Sequence, residues 1–229
     1  MPRLSKPIHE SLHVVSDSFP RDQIEEILSE PGIFFSDGHF EYPAPLDDRH
    51  GNHLNAIFIL EPIAKKERFR HWIACDILLW LKRENITFDV ILAPAQPAVM
   101  AIVEDLCKLT STRSAFWEYL PQGWFGNRLV KGEILKGDRV LAFNGLSQTG
   151  NCVGNRLPAF ASSLGGDTVA AAVFAKGSGK GVVAAEERYG PKLYSSLQVD
   201  VQVETPDQCQ QCRKEPKAEL TAWTKMRDQ

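Results

Sequence analysis

The spacing of apolar positions changes character along the chain. Residues 1–19 carry no period and read as an arm. After Pro20, Ile24, Ile27 and Leu28 recur at helical spacing with acids in the early turns, and Pro31-Gly32 ends that helix. From 33 to 60 the apolar pieces are short: Gly38, Pro43, Pro45 and Gly51-Asn52 punctuate Phe34-Phe35, Phe40 and the run from Ala56 to Leu60, so this stretch predicts short strands joined by turns. From residue 64 the rhythm lengthens. Trp72, Ile73, Ile77, Leu78, Trp80 and Leu81 predict an apolar helix, and Asp89-Val90-Ile91-Leu92-Ala93 a strand buried on both faces. A helix through Met100, Ile102, Val103, Leu106 and Leu109 comes next, then a strand over Arg139-Val140-Leu141-Ala142-Phe143 and a helix over 150–164. Leu164-Gly165-Gly166 ends that helix ahead of a third strand, Thr168 to Phe174. Helices alternating with short apolar strands predict an α/β fold built on a parallel sheet, with an antiparallel N-terminal piece beside it. The implied partition is an arm over 1–20, an N-terminal piece over 21–63, a core over 64–205 and a polar, charged tail over 206–229.

Composition narrows the class. The chain has 229 residues and a formal net charge of -3, too little positive charge for a surface that tracks phosphates, so nucleic acid is not expected as a direct ligand. Apolar runs stay well short of the ~20 residues a membrane span needs. The first residues lead into a polar stretch rather than an apolar signal region. The chain has five cysteines, an odd number that suits free thiols in a reducing compartment; a cytoplasmic protein is expected.

In open parallel sheets ligands sit at the carboxyl ends of strands near the switch in strand order. That directs attention to residues 94–98 and 144–151. In the second stretch a buried strand passes through Ser147-Gln148-Thr149-Gly150-Asn151 directly into a helix. Backbone N–H groups there, with the hydroxyls of Ser147 and Thr149, would suit a phosphate monoester; an ordinary N-capping turn has the same composition. Cys209-Gln210-Gln211-Cys212 has zinc-knuckle spacing, but a single CxxC is half a site and no zinc is expected on it. Cys75, Cys107 and Cys152 read as small core residues. His39, His50 and His53 near Asp47-Asp48 read as a solvated loop, and Gly177-Ser178-Gly179-Lys180-Gly181 as a turn lacking Walker spacing.

Taken together, residues 137–152 resemble the phosphoribosyl-diphosphate (PRPP) signature of type I phosphoribosyltransferases: an apolar strand, two acids, then a short Thr/Gly loop. The resemblance extends over roughly 24–216 and is nearest to the orotate branch. Gly32-Ile33-Phe34-Phe35-Ser36-Asp37-Gly38-His39 with Tyr42 looks like that branch's N-terminal hood. Phe88 to Ala95 looks like the strand entering its pyrophosphate loop, and Lys131 to Val140 like the end of its mobile-loop hairpin. Leu164-Gly165-Gly166, Tyr194 to Leu197 and Asp207 to Cys212 follow in the same order. The resemblance implies transfer of ribose 5-phosphate from PRPP to a nitrogen base with magnesium, and a homodimer. Proteins of this kind also occur as accessory subunits in bacterial defence and regulatory systems, which would bring a partner protein.

Three departures from the family pattern change what is expected. The acid pair reads Asn144-Gly145, without the negative charge that assists an oxocarbenium-like transition state, a loss of about 3–4 kcal/mol for each such electrostatic element. Asn144 is the one residue left to play a catalytic part. The pyrophosphate loop reads Pro94-Ala95-Gln96-Pro97-Ala98, and Pro97 has no N–H to give an anion. The lid, Arg113 to Arg128, contains no lysine and carries Phe116, Trp117, Tyr119, Trp124 and Phe125, which reads either as a contact surface for another chain or as packing on the chain's own domain. The hood lysine that contacts orotate corresponds to Ser36. The expectation is a diverged member that binds a nucleotide or phosphoribosyl ligand at Ser147, Gln148, Thr149, Gly150 and Asn151, is inactive toward PRPP, and acts through a partner. The alternative is an active glycosyltransferase on an unusual substrate.

Overall fold

A computed structural model describes residues 12–36, 38–41, 51–120, 125–178, 180–201, 203–214 and 219–222. Asp37, Tyr42, Asp47, Asp48, His50, Trp124 and Gly179, all named above, lie outside the described residues. In chain order the elements are β1 (Leu12–Val14), α1 (Arg21–Leu28), β2 (Phe34–Phe35), β3 (Phe40–Glu41), β4 (His53–Leu54), β5 (Ile57–Phe58), α2 (Glu61–Lys65) and α3 (Glu67–Arg83). Then come β6 (Val90–Pro94), α4 (Pro97–Thr110), β7 (Arg113–Tyr119), β8 (Phe125–Lys131) and β9 (Arg139–Ser147). A π-helical turn, Cys152–Arg156, leads into α5 (Leu157–Ser163), followed by β10 (Asp167–Lys176), α6 (Lys180–Tyr189), β11 (Leu193–Val199) and β12 (Val203–Glu204).

The main sheet has seven strands in the order β1-β11-β10-β9-β6-β7-β8. Its five inner strands are parallel, and β1 and β8 close the two edges antiparallel. Strands buried on both faces must send successive side chains into two different cores. Ile91, Ala93, Leu141, Phe143, Ala170, Ala172 and Phe174 pack with α1, α3 and α4. Their neighbours Val90, Leu92, Val140, Ala142, Ala171 and Val173 pack with Val153, Leu157, Ala161 and Ala185 on the opposite side. The sheet is therefore covered on both faces, as the apolar runs required. Phe40, Leu54, Ile57 and Ile59 form a third, smaller core in the N-terminal piece, where β12, β4 and β3 make a second sheet and β2 and β5 a third.

Several sequence expectations are corrected. Leu12–Val14, read as part of an arm, pairs with β11. The residues just after it anchor to a buried carboxylate: Asp76 on α3 accepts hydrogen bonds from Ser16 Oγ (2.7 Å), Ser18 Oγ (2.7 Å), Tyr194 OH (2.5 Å) and Ser196 Oγ (2.7 Å). A polar group this deep is tolerated only when so satisfied. Burial and the neighbouring Asp76 carboxylate both push the Tyr194 hydroxyl well above its ordinary range, so it stays a donor. Arg113–Tyr119, read as the start of a lid, is an inner strand beside β6. The strand through Val140 runs on through Asn144 and Gly145 to Ser147, because β10 pairs with it out to Lys176↔Ser147. The helix after it begins as a π turn, in which the Leu157 N–H donates to Cys152 O. Further on, Pro158 has no N–H to offer the Gly154 carbonyl, its i−4 acceptor, and Arg188 Nη1 donates to that oxygen at 2.9 Å.

Candidate functional site

The carboxyl ends of β6, β9 and β10 lie side by side in the sheet. Strand order switches between β6 and β9, which run parallel: from β6 the chain moves outward to β7 through α4 on one face, and from β9 it moves the other way to β10 through the π turn and α5 on the opposite face. Such a switch opens a crevice at the strand ends, and two of the sequence-singled loops meet there.

The loop from Ser147 to Asn151 is held by backbone rather than side chains. Gly150 has φ +78, and a Cβ there would lie 1.9 Å from Val182 N and 2.1 Å from Gly181 C. A Cβ on Gly181 would lie 2.5 Å from Thr149 O, and one on Gly177 2.3 Å from Gln148 O. The glycine-rich stretch after β10, read from sequence as a turn, is thus the close-packed backing of this loop. Asn151 N donates to Thr149 Oγ1 at 3.3 Å, and Asn155 Nδ2 donates to Asn151 Oδ1 at 2.9 Å. Among the described residues no backbone acceptor takes the N–H of Thr149 or Gly150. Ser147 Oγ and Gln148 Nε2 are buried without a hydrogen-bond partner, a cost of about 1–3 kcal/mol each unless something satisfies them. Lys176, at the end of β10, is paired with Glu186 at 2.7 Å.

Asn144 and Gly145, which the resemblance sets against the family's acid pair, lie on β9. Asn144 is half-buried and its Nδ2 donates to Leu146 O at 2.8 Å. Gly145 is buried, and a Cβ on it would come within 2.1 Å of Leu60 Cδ2 and 3.4 Å of Val99 Cγ2. The space that a side chain at position 145 would need is filled by a leucine at the start of α2. Beside Asn144, desolvation pushes the Cys152 thiol up to about 12 against the opposing pull of Arg156 and a hydrogen bond with Asn144. It is a protonated, unreactive thiol at neutral pH.

On the other side of the crevice, Ala95, Gln96 and Pro97 offer an anion little. Ala95 N–H donates to Trp117 O at 2.7 Å and Gln96 N–H turns back to Pro94 O at 2.8 Å. Pro97 opens α4, the helical position where a missing N–H costs least.

The aromatic stretch divides. Phe116 is fully buried, and Trp117 is buried with its ring stacked on Phe160 (centroids 4.0 Å apart, planes 5° apart) and its Nε1 donating to Gly126 O at 3.0 Å. This corrects the contact-surface reading for those two, whose area is spent on the chain's own core. Tyr119 and Phe125 are half-buried and meet edge to face near the open edge of β8. Ser36 is half-buried at the end of β2.

Sequence reasoning missed one constellation. His39 and His53 are buried rather than solvated, and they meet Cys209 and Cys212. The half-site reading of the CxxC is corrected with them. Only the burial of the hood makes the four residues neighbours, and no spacing rule links positions 39 and 53 to 209 and 212.

Comparison with known proteins adds the fold. No protein-family model matches the chain, and no curated protein matches it. Solved structures do. Orotate phosphoribosyltransferase from Aeropyrum pernix is 16% identical, with TM-score 0.55 over 76% of this chain and 92% of that one. UMP synthase from Leishmania donovani is 16% identical, with TM-score 0.51 over 72% of this chain and 33% of that one. A phosphoribosyltransferase from Corynebacterium diphtheriae is 14% identical, with TM-score 0.50 over 64% and 84%. Among the described residues no helix is long and apolar enough to cross a membrane. The mostly parallel sheet, its flanking helices and these likenesses together give the chain a type I phosphoribosyltransferase fold.

Proposed function

We propose that this chain is a phosphoribosyltransferase-like protein that binds a nucleotide or phosphoribosyl ligand by its 5′-phosphate at Ser147, Gln148, Thr149, Gly150 and Asn151, does not turn over PRPP, and acts through a partner protein. One asymmetry carries the reading. On the 5′-phosphate side of the crevice, no backbone acceptor among the described residues takes the N–H groups of Thr149 and Gly150, and Ser147 Oγ and Gln148 Nε2 are buried without partners there. On the pyrophosphate side, the N–H groups of Ala95 and Gln96 are consumed internally and Pro97 has none. An anion is supported by one loop and refused by the other.

The chemistry is disabled at the same time. Asn144 brings no charge, and Leu60 fills the space beside Gly145, so a developing positive charge on the anomeric carbon meets no carboxylate from either position. Magnesium, implied by the resemblance alongside PRPP, is a hard cation that wants oxygen ligands. Positions 144 and 145 supply no carboxylate for it, so the residues do not fit the ion and no step is assigned to it. The partner's footing is narrower than the sequence alone implied: Tyr119 and Phe125 at one end of the β7–β8 pair, with the exposed Val130 further along the edge strand β8.

Calorimetry with ribose 5-phosphate and nucleoside monophosphates tests the binding. Thr149→Ala should weaken it roughly tenfold or more, given ~1.5–3 kcal/mol for a hydrogen bond to a charged group. No heat with any of these ligands would remove the phosphate-site assignment. Transfer or nucleotide cleavage that Asn144→Ala abolishes would establish the active alternative. Tyr119→Ala and Phe125→Ala should reduce recovery of a companion chain or shift the oligomer mass, and no change in either would remove the partner.

A further inference from the structure

We propose that His39, His53, Cys209 and Cys212 bind one structural Zn2+ that ties the C-terminal segment to the N-terminal hood. The four ligand atoms all lie within 4.8 Å of one another. A tetrahedral ion with Zn–N near 2.0–2.1 Å and Zn–S near 2.3 Å requires N···S edges of about 3.5 Å. The observed edges are 3.5 Å for Cys209 Sγ–His39 Nε2, 3.5 Å for Cys212 Sγ–His39 Nε2 and 3.3 Å for Cys212 Sγ–His53 Nδ1. The two imidazole nitrogens stand 2.9 Å apart, somewhat closer than the N···N edge of about 3.3 Å that the same bond lengths imply.

Hydrogen bonding alone accounts poorly for this convergence. A neutral imidazole nitrogen either donates one proton or accepts one. Here both sulfurs and His53 Nδ1 converge on His39 Nε2. A cation at the centre is the single species that all four atoms can face at once. Sulfur and imidazole donors in a tetrahedral S2N2 set favour zinc over magnesium or calcium. His39, His53 and Cys209 are buried and Cys212 is half-buried, so four protein ligands close the site and leave no open position for substrate.

The backbone is arranged to present these ligands. β3 and β4 pair antiparallel with Glu41 opposite His53, and His39 directly precedes β3. β12 joins the other edge of β4, with Glu204 opposite His53. Cys209 N then donates to Thr205 O at 2.8 Å and Gln210 N to Glu204 Oε2 at 2.9 Å, folding the CxxC back over the histidines. The small hood sheet rests on strands of two residues each, too short for backbone pairing alone to contribute much stability. A cross-link between segments this far apart in the chain removes much of the freedom of the unfolded state.

The test is metal analysis of the full-length chain, purified under reducing conditions without added metal. Near-stoichiometric zinc is expected, lost in Cys212→Ala and retained in Cys75→Ala and Cys107→Ala. Should Cys212→Ala fail to fold, cobalt substitution of the unaltered protein decides the matter independently. Reduced, chelator-stripped chain titrated with Co2+ should develop the strong visible bands of a tetrahedral S2N2 centre and regain the lost Tm. Absence of zinc together with absence of those bands overturns the proposal, as does a Cys209–Cys212 disulfide in the freshly isolated protein.

Discussion

Replacing Gly145 by alanine probes whether Leu60 closes the space beside this position. A Cβ at that position would stand 2.1 Å from Leu60 Cδ2, 3.3 Å from Leu60 Cγ and 3.4 Å from Val99 Cγ2. Carbon atoms in contact prefer about 3.5–4.0 Å, so Leu60 must leave its place or β9 must shift. Overfilling a packed interior in this way costs about 1–3 kcal/mol. Leu60→Ala alone, at a side chain that is 7% exposed, should cost about 2–5 kcal/mol through lost burial and the cavity it leaves. If Leu60 is the obstacle, the cavity accepts the new methyl group. The double variant should then be less destabilised than the sum of the single ones by at least ~1 kcal/mol, within the range for touching residues. Urea unfolding measures this through the midpoint at constant m-value. Additivity within ~0.5 kcal/mol, or a Gly145→Ala variant as stable as the parent, would refute the reasoning.

Other consequences follow from the same packing. Asp76→Ala leaves the hydroxyls of Ser16, Ser18, Tyr194 and Ser196 without their common acceptor; a loss of about 1–3 kcal/mol for each hydroxyl left unsatisfied is expected in urea, with earliest exchange of amides in β1. Trp117→Ala removes a buried ring stacked on Phe160 and should cost about 3–5 kcal/mol without changing oligomer mass; the reverse pattern would return Trp117 to an interface. For Asp105, burial raises the carboxyl while hydrogen bonds from Lys108 and Arg70 lower it, and the net direction is down. The stabilisation is then present above the ordinary carboxylate range and is lost as pH falls through the lower folded value. Asp105→Asn should flatten that part of the acid limb in pH-dependent Tm, and an unchanged limb would deny the pair its role.

Much of this architecture was legible in the sequence, because the strands that build it are apolar on both faces. Val90 to Ala93, Arg139 to Phe143 and Thr168 to Phe174 could be read directly as inner strands. β7 could not: Arg113-Ser114-Ala115-Phe116-Trp117-Glu118-Tyr119 mixes charge with aromatic rings, and its burial comes from β6 beside it. The end of β9 was hidden for a related reason. Asn144 and Gly145 read as a loop, but pairing to β10 outweighs their local preference. At the crevice, residue types alone showed the missing charge and the missing N–H of Pro97. That Ala95 gives its N–H to Trp117 O, and that Leu60 fills the space beside Gly145, depends on contacts between segments distant in sequence. The meeting of His39 and His53 with Cys209 and Cys212 is the extreme case, assembled wholly by the tertiary fold.

The proposed anion site keeps the 5′-phosphate half and lacks the pyrophosphate half. Parallel calorimetry with ribose 5-phosphate and PRPP, alongside a pyrophosphate-release assay with magnesium and a panel of bases, tests it directly. The structure leads us to expect comparable affinity for the two ligands, heat abolished by Gly150→Ala, and no pyrophosphate released. Markedly tighter binding of PRPP, or pyrophosphate release that Asn144→Ala removes, would contradict it.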